Sequence, residues 1–307
     1  MLKNQKLLLF SSVFFLGLFL SDSSTAREGC ITGINLWLFT IVPALFPFMF
    51  FSEILKSTNG FVYISKIFSP LTTQIFKLSK NGSYPLLIGL LCGFPMGAKA
   101  SSDLVSLNKI SFKEGEYLLS FCNILSPGFI TGYYCNFVLK DNSLLFPALF
   151  SIYFSHILVG LLLRFSGYDD DFNYISTDDS SETMPLKFDK IFLDTFINLA
   201  KIGSFILLFS LICAYIQHLF LPAAINIALI SSFEITTGLG LMETSHISIM
   251  QKFLIGNTAI SFGGISGIAQ TKSIISKSGL SVKKYISSKI LISFFTFLFS
   301  YILIKII

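Results

Sequence analysis

Four ionisable residues, Glu53, Lys99, Asp103 and Glu234, fall inside or at the edge of strongly apolar stretches of this 307-residue chain. A charged side chain in hydrocarbon costs roughly 2.5–3.5 kcal/mol on insertion scales, so each marks a partner or a polar cavity. Lys99 ends the run Gly93-Phe94-Pro95-Met96-Gly97-Ala98-Lys99, and a weaker echo reads Gly263-Gly264-Ile265-Ser266-Gly267-Ile268-Ala269-Gln270. Residues that break helices inside apolar segments leave backbone amides and carbonyls bare. The amides at a helix start attract an anion such as a carboxylate, and freed carbonyls suit a cation. A third break, Asn123-Ile124-Leu125-Ser126-Pro127-Gly128, interrupts the segment 116–139. Such breaks are tolerated only against protein or a wet cavity. The chemistry indicated is ligand binding, by Gly93, Pro95, Gly97, Lys99, Asn123, Ser126, Pro127, Glu234, Gly263, Gly264, Ser266 and Gln270. The plainer alternatives are that the glycines serve close helix packing and that Glu53 ends its span beside Lys56.

Catalysis is not indicated. No H-E-x-x-H or G-x-S-x-G run is present, and no nucleophile gathers with a His and a carboxylate. The five cysteines show no C-x-x-C pair or metal spacing, so neither a metal nor another cofactor is expected. Asp169-Asp170-Asp171 and Asp178-Asp179 match no calcium-loop pattern and read as a solvated linker. Nucleic acid is excluded as a partner, since no basic cluster lies on a folded polar surface.

The elements that would hold these residues follow from composition. Hydrophobic residues make up 53% of the chain and charged ones only 13%, with 35 Phe, against about a quarter charged in a soluble domain. The fold class expected is an all-α polytopic membrane protein, of two diverged repeats, with about seven transmembrane helices plus two re-entrant helical hairpins. Residues 7–20, followed by Ser24-Thr25-Ala26, are taken as a retained first span rather than a cleaved signal peptide. The span 31–55 carries Pro43 and Pro47, 61–78 is an interfacial amphipathic helix, and 84–107 is the first hairpin. The broken helix 116–139 and the span 144–163, with a packed His156, complete the first repeat, 1–165. After the acidic linker 166–187, the second repeat, 188–307, holds spans ending near His218 and across 222–241, a hairpin over 252–278, and a last span, 285–304.

The repeat rests on a shift of 170 positions, which places Gly93 on Gly263, Gly97 on Gly267 and Ile110-Ser111-Phe112-Lys113 on Leu280-Ser281-Val282-Lys283. With both glycine stretches re-entrant, 18 of the 22 Lys+Arg lie on the N-terminal side, leaving Arg27, Lys140 and Lys305 opposite and Lys99 in the first hairpin. The positive-inside rule therefore favours hairpins and a cytoplasmic N-terminus. Hairpins entering from one face would make the repeats parallel; two crossings would make them inverted.

Pro43-Ala44-Leu45-Phe46-Pro47-Phe48, Gly93 to Lys99, Phe121-Cys122-Asn123 with Ser126-Pro127-Gly128-Phe129, Glu234-Ile235-Thr236-Thr237-Gly238 and Gly263-Gly264 with Ala269-Gln270 together resemble the sporulation integral membrane protein YlbJ family, in the wider group with nucleoside-recognition Gate domains. The resemblance implies a multi-pass transporter of a small organic anion, dipicolinic acid, in the cell membrane of endospore formers and there in the outer forespore membrane. A coupling cation, H+ or Na+, and a homo-oligomer are further partners beside the lipid bilayer. The second repeat lacks an evident Asn-x-x-Ser-Pro counterpart, and the Gln-Thr-Glu signatures of nucleoside transporters are absent. A nucleoside or nucleobase transporter and a non-transporting scaffold of the sporulation machinery are the alternatives.

Overall fold

The computed structural model describes residues 2–165 and 188–306, and every element among them is helical. The acidic linker 166–187 lies outside the described residues. Among the described residues, four helices are long and apolar enough to cross a membrane: Ser23–Ser57, Asn142–Phe165, Phe188–Gln217 and Val282–Ile306. Their large side chains face outward in number, among them Phe39, Phe51, Phe146, Phe196 and Phe294. Outward apolar surface on helices whose backbone bonds are internal is what a hydrocarbon surround requires.

After α1 (Leu2–Ser21), α2 (Ser23–Asn35) starts at Asp22, whose carboxylate accepts from Thr25 N at 3.1 Å. It runs through a π-helical stretch, Leu36–Ile41, into α3 (Val42–Ser57). Pro43 stands in the first turn of α3 and Pro47 inside it. The widened turn just before them takes up the missing amides and ring bulk that a regular helix would refuse. In α4 (Phe61–Phe76), Phe61, Ser65, Ser69, Thr72 and Phe76 are buried while Tyr63, Ile67, Leu71 and Ile75 are exposed. At 16 residues it is too short to cross, and its apolar face is free for lipid.

Two pairs of half-length helices fold back on themselves. In the first, α5 (Ser83–Leu91) and α6 (Met96–Ser106) pack side by side. The turn between them starts at Gly93, φ +83°, and includes the cis peptide Phe94–Pro95. A Cβ at Gly97 would stand 3.0 Å from Gly89 Cα and would collide with the Cys122 carbonyl. In the second, α10 (Ala223–Phe233) and α11 (Ile235–Thr244) meet at Glu234, one extended residue with φ −143° and ψ 116°. Gly238 on α11 lies against Ser231 on α10, where a Cβ would stand 2.6 Å from Ser231 Cα.

Two further helices are interrupted without folding back. Ser111 caps α7 (Phe112–Phe121), the chain is irregular from Cys122 to Ser126, and a π-helical segment, Phe129–Leu139, continues. In α12 (Ile249–Phe262), a capping box of Ser248 and Gln251 starts the helix and Gly263, φ +92°, ends it; α13 (Gly264–Ile274) starts at once. Both glycines have left-handed φ values, +92° and +65°, which bend the chain where a side chain would be strained. The remaining helices are α8 (Leu145–Phe165), α9 (Phe188–Gln217) and α14 (Val282–Ile306).

The hairpin expected over 252–278 is therefore corrected. α12 and α13 make almost no contact with one another, and the segment that does fold back is 223–244, expected as a single span over 222–241. The shift of 170 positions had matched two glycines with different tasks, a hairpin turn at Gly93 and a bend between two half-helices at Gly263.

The tight approaches give a test. Gly97→Ala and Gly238→Ala should each lower stability by about 1–3 kcal/mol, since backbone rather than a flexible side chain must yield. Gly132→Ala, with no atom within 4 Å of its Cβ, should be neutral or stabilising. Thermal unfolding of the purified protein in detergent checks this; equal melting temperatures for Gly238→Ala and Gly132→Ala would contradict the acute α10–α11 packing.

Candidate functional site

Both turns and both interruptions converge. Phe94, at the turn of the first hairpin, lies on Gly267 of α13, 3.4 Å from where its Cβ would be. Gly264 lies equally close to Phe233 O and Ile235 at the vertex of the second hairpin. Between them is a cavity of about 50 Å³, lined by Phe94, Ser126, Phe129, Glu234, Thr236, Gly263, Gly267 and Gln270, with Ile41, Ala44 and Leu45 of the α2–α3 helix and Ile202 and Ile206 of α9 closing its side. That volume has room for one or two waters and falls well short of the roughly 300 Å³ at which ordinary small-molecule pockets begin.

Of the residues expected to bind a ligand, Ser126, Glu234, Gly263 and Gln270 line this cavity. Ser126 Oγ accepts from Phe129 N at 3.2 Å, capping the π-helical segment. Glu234 Oε2 accepts from Thr237 N at 2.6 Å and from the hydroxyls of Thr236 and Thr237 at 2.7 and 2.8 Å. The carboxylate thus caps α11, whose positive end offsets its charge. Gln270 is buried and donates to Ser266 Oγ at 3.1 Å, while its Oε1 has no partner among the described residues. α13 begins at a glycine, so no N-cap side chain satisfies its first amides, and Gly263 and Gly267, on either side of that first turn, line the cavity.

Gly93, Gly264, Ser266 and Asn123 stand behind the lining. Gly93 packs on Ser126, where a Cβ would stand 2.8 Å from Ser126 Cα. Asn123 Oδ1 accepts from Ala98 N at 3.4 Å, and its amide donates to Thr271 Oγ1 at 3.2 Å and Tyr285 OH at 3.0 Å. It joins the first hairpin to the second half of the chain. Pro95 and Gly97 shape the first hairpin, and Pro127 follows Ser126 outside the lining.

Lys99, expected to hold an anion, is corrected: it does not line the cavity and its charge is taken. Nζ is 2.5 Å from Glu53 Oε1 and 2.8 Å from Asp103 Oδ2. Lys56 Nζ bridges the same carboxylates at 3.4 and 3.2 Å. Two lysines and two carboxylates form a neutral quartet fastening α6 to α3, so Glu53 is more than the polar end of a span. All four were visible as ionisable residues. Their pairing joins positions 46 apart, which no spacing rule reports.

One central residue escaped sequence reasoning. Lys289, counted among the flanking cations, is 2% exposed in α14. Its Nζ donates to Asn123 O at 2.6 Å and Ser261 O at 3.2 Å, with His156 Nε2 also at 3.2 Å. The available signal was that residues 285–304 would leave it inside the span, one turn beyond Tyr285.

Breaking the quartet from one side should be costly and from both sides less so. Lys99→Met leaves two carboxylates with one lysine and should lower stability by about 3–5 kcal/mol. Adding Glu53→Gln should recover part of that loss, measured by the same thermal unfolding as a double-mutant cycle. Simple additivity of the two losses would rule out the pairing.

Comparison with known proteins gives one strong match. The chain is 28% identical, over 91% of its length and 78% of the relative's, to the sporulation integral membrane protein YlbJ of Bacillus subtilis (strain 168). No family model matches the chain, and no solved structure matches it. The likeness carried by the proline, glycine and asparagine motifs thus extends over nearly the whole protein, an all-helical membrane protein similar to the sporulation protein YlbJ.

Proposed function

We propose that this protein is a transporter of a small organic anion, dipicolinic acid, across the outer forespore membrane during sporulation. The observation that carries the reading is the convergence of two hairpins and two interrupted helices on a small, partly polar cavity. Half-helices that present bare amides and carbonyls to a midplane site are a recurrent device of secondary transporters. The anion would be held by the uncapped start of α13 and the Ser126 hydroxyl, in place of Lys99. At about 50 Å³ the site has to widen to admit its ligand.

The arrangement is that of two units, each with a long helix, a hairpin, an interrupted helix and a closing span. With the hairpins at 83–106 and 223–244, three crossings separate them: the interrupted helix 112–139, α8 and α9. The hairpins then enter from opposite faces and the units are inverted. Seven crossings result, and Lys252 joins Arg27, Lys140 and Lys305 outside, so the cytoplasmic side keeps its positive excess.

A second reading, a nucleoside or nucleobase transporter, is favoured by Gln270. An unpaired amide oxygen beside a carboxylate suits a ligand with N–H or O–H donors.

Labelled dipicolinate uptake into vesicles containing the protein tests both. Gly267→Leu, which fills the cavity beside Phe94, should reduce uptake at least roughly tenfold, equivalent to about 1.4 kcal/mol. Gln270→Ala should reduce it less for dipicolinate than for uridine if both are carried. Uptake unchanged in Gly267→Leu would remove the site, and competition by excess uridine but not by unlabelled dipicolinate would favour the second reading.

A further inference from the structure

Each buried lysine in the core answers to something. Lys99 answers to two carboxylates. Lys289, more deeply buried, has no carboxylate within ion-pair distance among the described residues, and its polar partners are two backbone carbonyls and an imidazole. An ammonium has three hydrogens, and these are three acceptors.

The acceptors come from three elements. Asn123 O follows the end of α7, Ser261 O lies in the last turn of α12, and His156 is on α8. The carbonyl ends of two interrupted helices, each the negative end of its half-helix, thus share one tethered cation. His156 Nδ1 lies 2.8 Å from Ile152 O, so that nitrogen carries a hydrogen and Nε2 offers its lone pair to Lys289. The other titratable groups facing Lys289 are Cys122, from the break after α7, and Tyr285, one turn earlier on α14. From α12 comes an uncharged group, the Ser261 carbonyl.

Proton counting then limits the pair to two states. With one extra proton, all three contacts are made. Without it, the amine has two hydrogens for three acceptors, and one contact with a helix end or with His156 must be given up. A second extra proton would set two cations 3.2 Å apart. We propose that Lys289 and His156 form a buried proton-binding site whose loading ties the two helix interruptions together and whose emptying loosens that tie. The nitrogen lone pair takes the proton, and no other bond forms or breaks. A role for this site in driving solute movement rests on the transport reading above; the proton site itself does not.

Hydrogen exchange of the backbone amides at 122–130 and 259–267, followed by mass spectrometry in detergent and corrected for the intrinsic pH dependence, tests it without any ligand. In the parent protein, protection of both segments should fall at least tenfold between pH 6 and pH 9, while the α5–α6 hairpin stays unchanged. The pH dependence should vanish in Lys289→Gln and move to a different pH in His156→Gln. If Lys289→Gln fails to fold, seen as lost protection in α5–α6, His156→Gln alone decides. No pH dependence in the parent, or the same dependence in the variants that fold, overturns the proposal. Dipicolinate uptake driven by an imposed pH gradient is measured alongside. Absent uptake in a parent that retains pH-dependent protection counts against the transport reading and leaves the proton site standing.

Discussion

A helix interrupted inside a membrane must find partners for the amides and carbonyls it frees, because hydrocarbon supplies none. In this chain the interruptions satisfy one another. The carbonyls after α7 and at the end of α12 meet on Lys289, the side chain of Asn123 covers the start of α6, and Ser126 covers the start of the π-helical segment. The first half does not hold its break alone, since the Asn123 carbonyl is met by Lys289 of the second half. The contact between the halves is therefore a requirement of their backbones, prior to any ligand, and the cavity is the space left where those partners do not quite meet.

The two central lysines show how differently a buried cation can be accommodated. Lys99 sits in a neutral quartet, where desolvation is offset by charge attraction and each member is costly to remove alone. Lys289 is met by dipoles: carbonyls at two helix ends and an imidazole lone pair. Dipoles hold a charge less firmly than a carboxylate does and hold the neutral amine nearly as well. The first arrangement suits a fastening, the second a group that changes state.

Much of this could be read from residue types. Pro43 and Pro47, the Gly93–Lys99 turn and the Asn123–Gly128 break are where helix chemistry fails locally, and the structure departs from regular α-helix at or just before each. The second half was harder for a physical reason. Its hairpin vertex is a single extended glutamate with no Gly or Pro beside it, so nothing in local propensity marks a reversal there. Gly263 and Gly264 do mark a special backbone, yet left-handed φ values serve a bend between half-helices as well as a return. Pairings such as Lys99 with Glu53, or Lys289 with His156, join positions that only the assembled fold brings together.

The anchoring of the two hairpins is unequal, and that bears on how the cavity could widen. The first is fixed by the Lys99 quartet to α3, by Asn123, by Ser102 on Ser278 at 2.9 Å, and by Tyr84 on Ser52 at 3.0 Å. The second has the neutral Ser210–Thr237 hydroxyl pair at 2.9 Å and, at its far end, Lys140 on Glu243 at 2.6 Å, with the lysine 62% exposed. The buried Lys99–Glu53 pair at the centre of the quartet costs several kcal/mol to break from one side, whereas a neutral hydroxyl pair contributes about 1 kcal/mol and an exposed ion pair at most about that. The Glu234 cap stays within the second hairpin and would travel with it. Widening the cavity by moving α10–α11 therefore sacrifices far less than moving α5–α6, although the two walls look alike in length and shape.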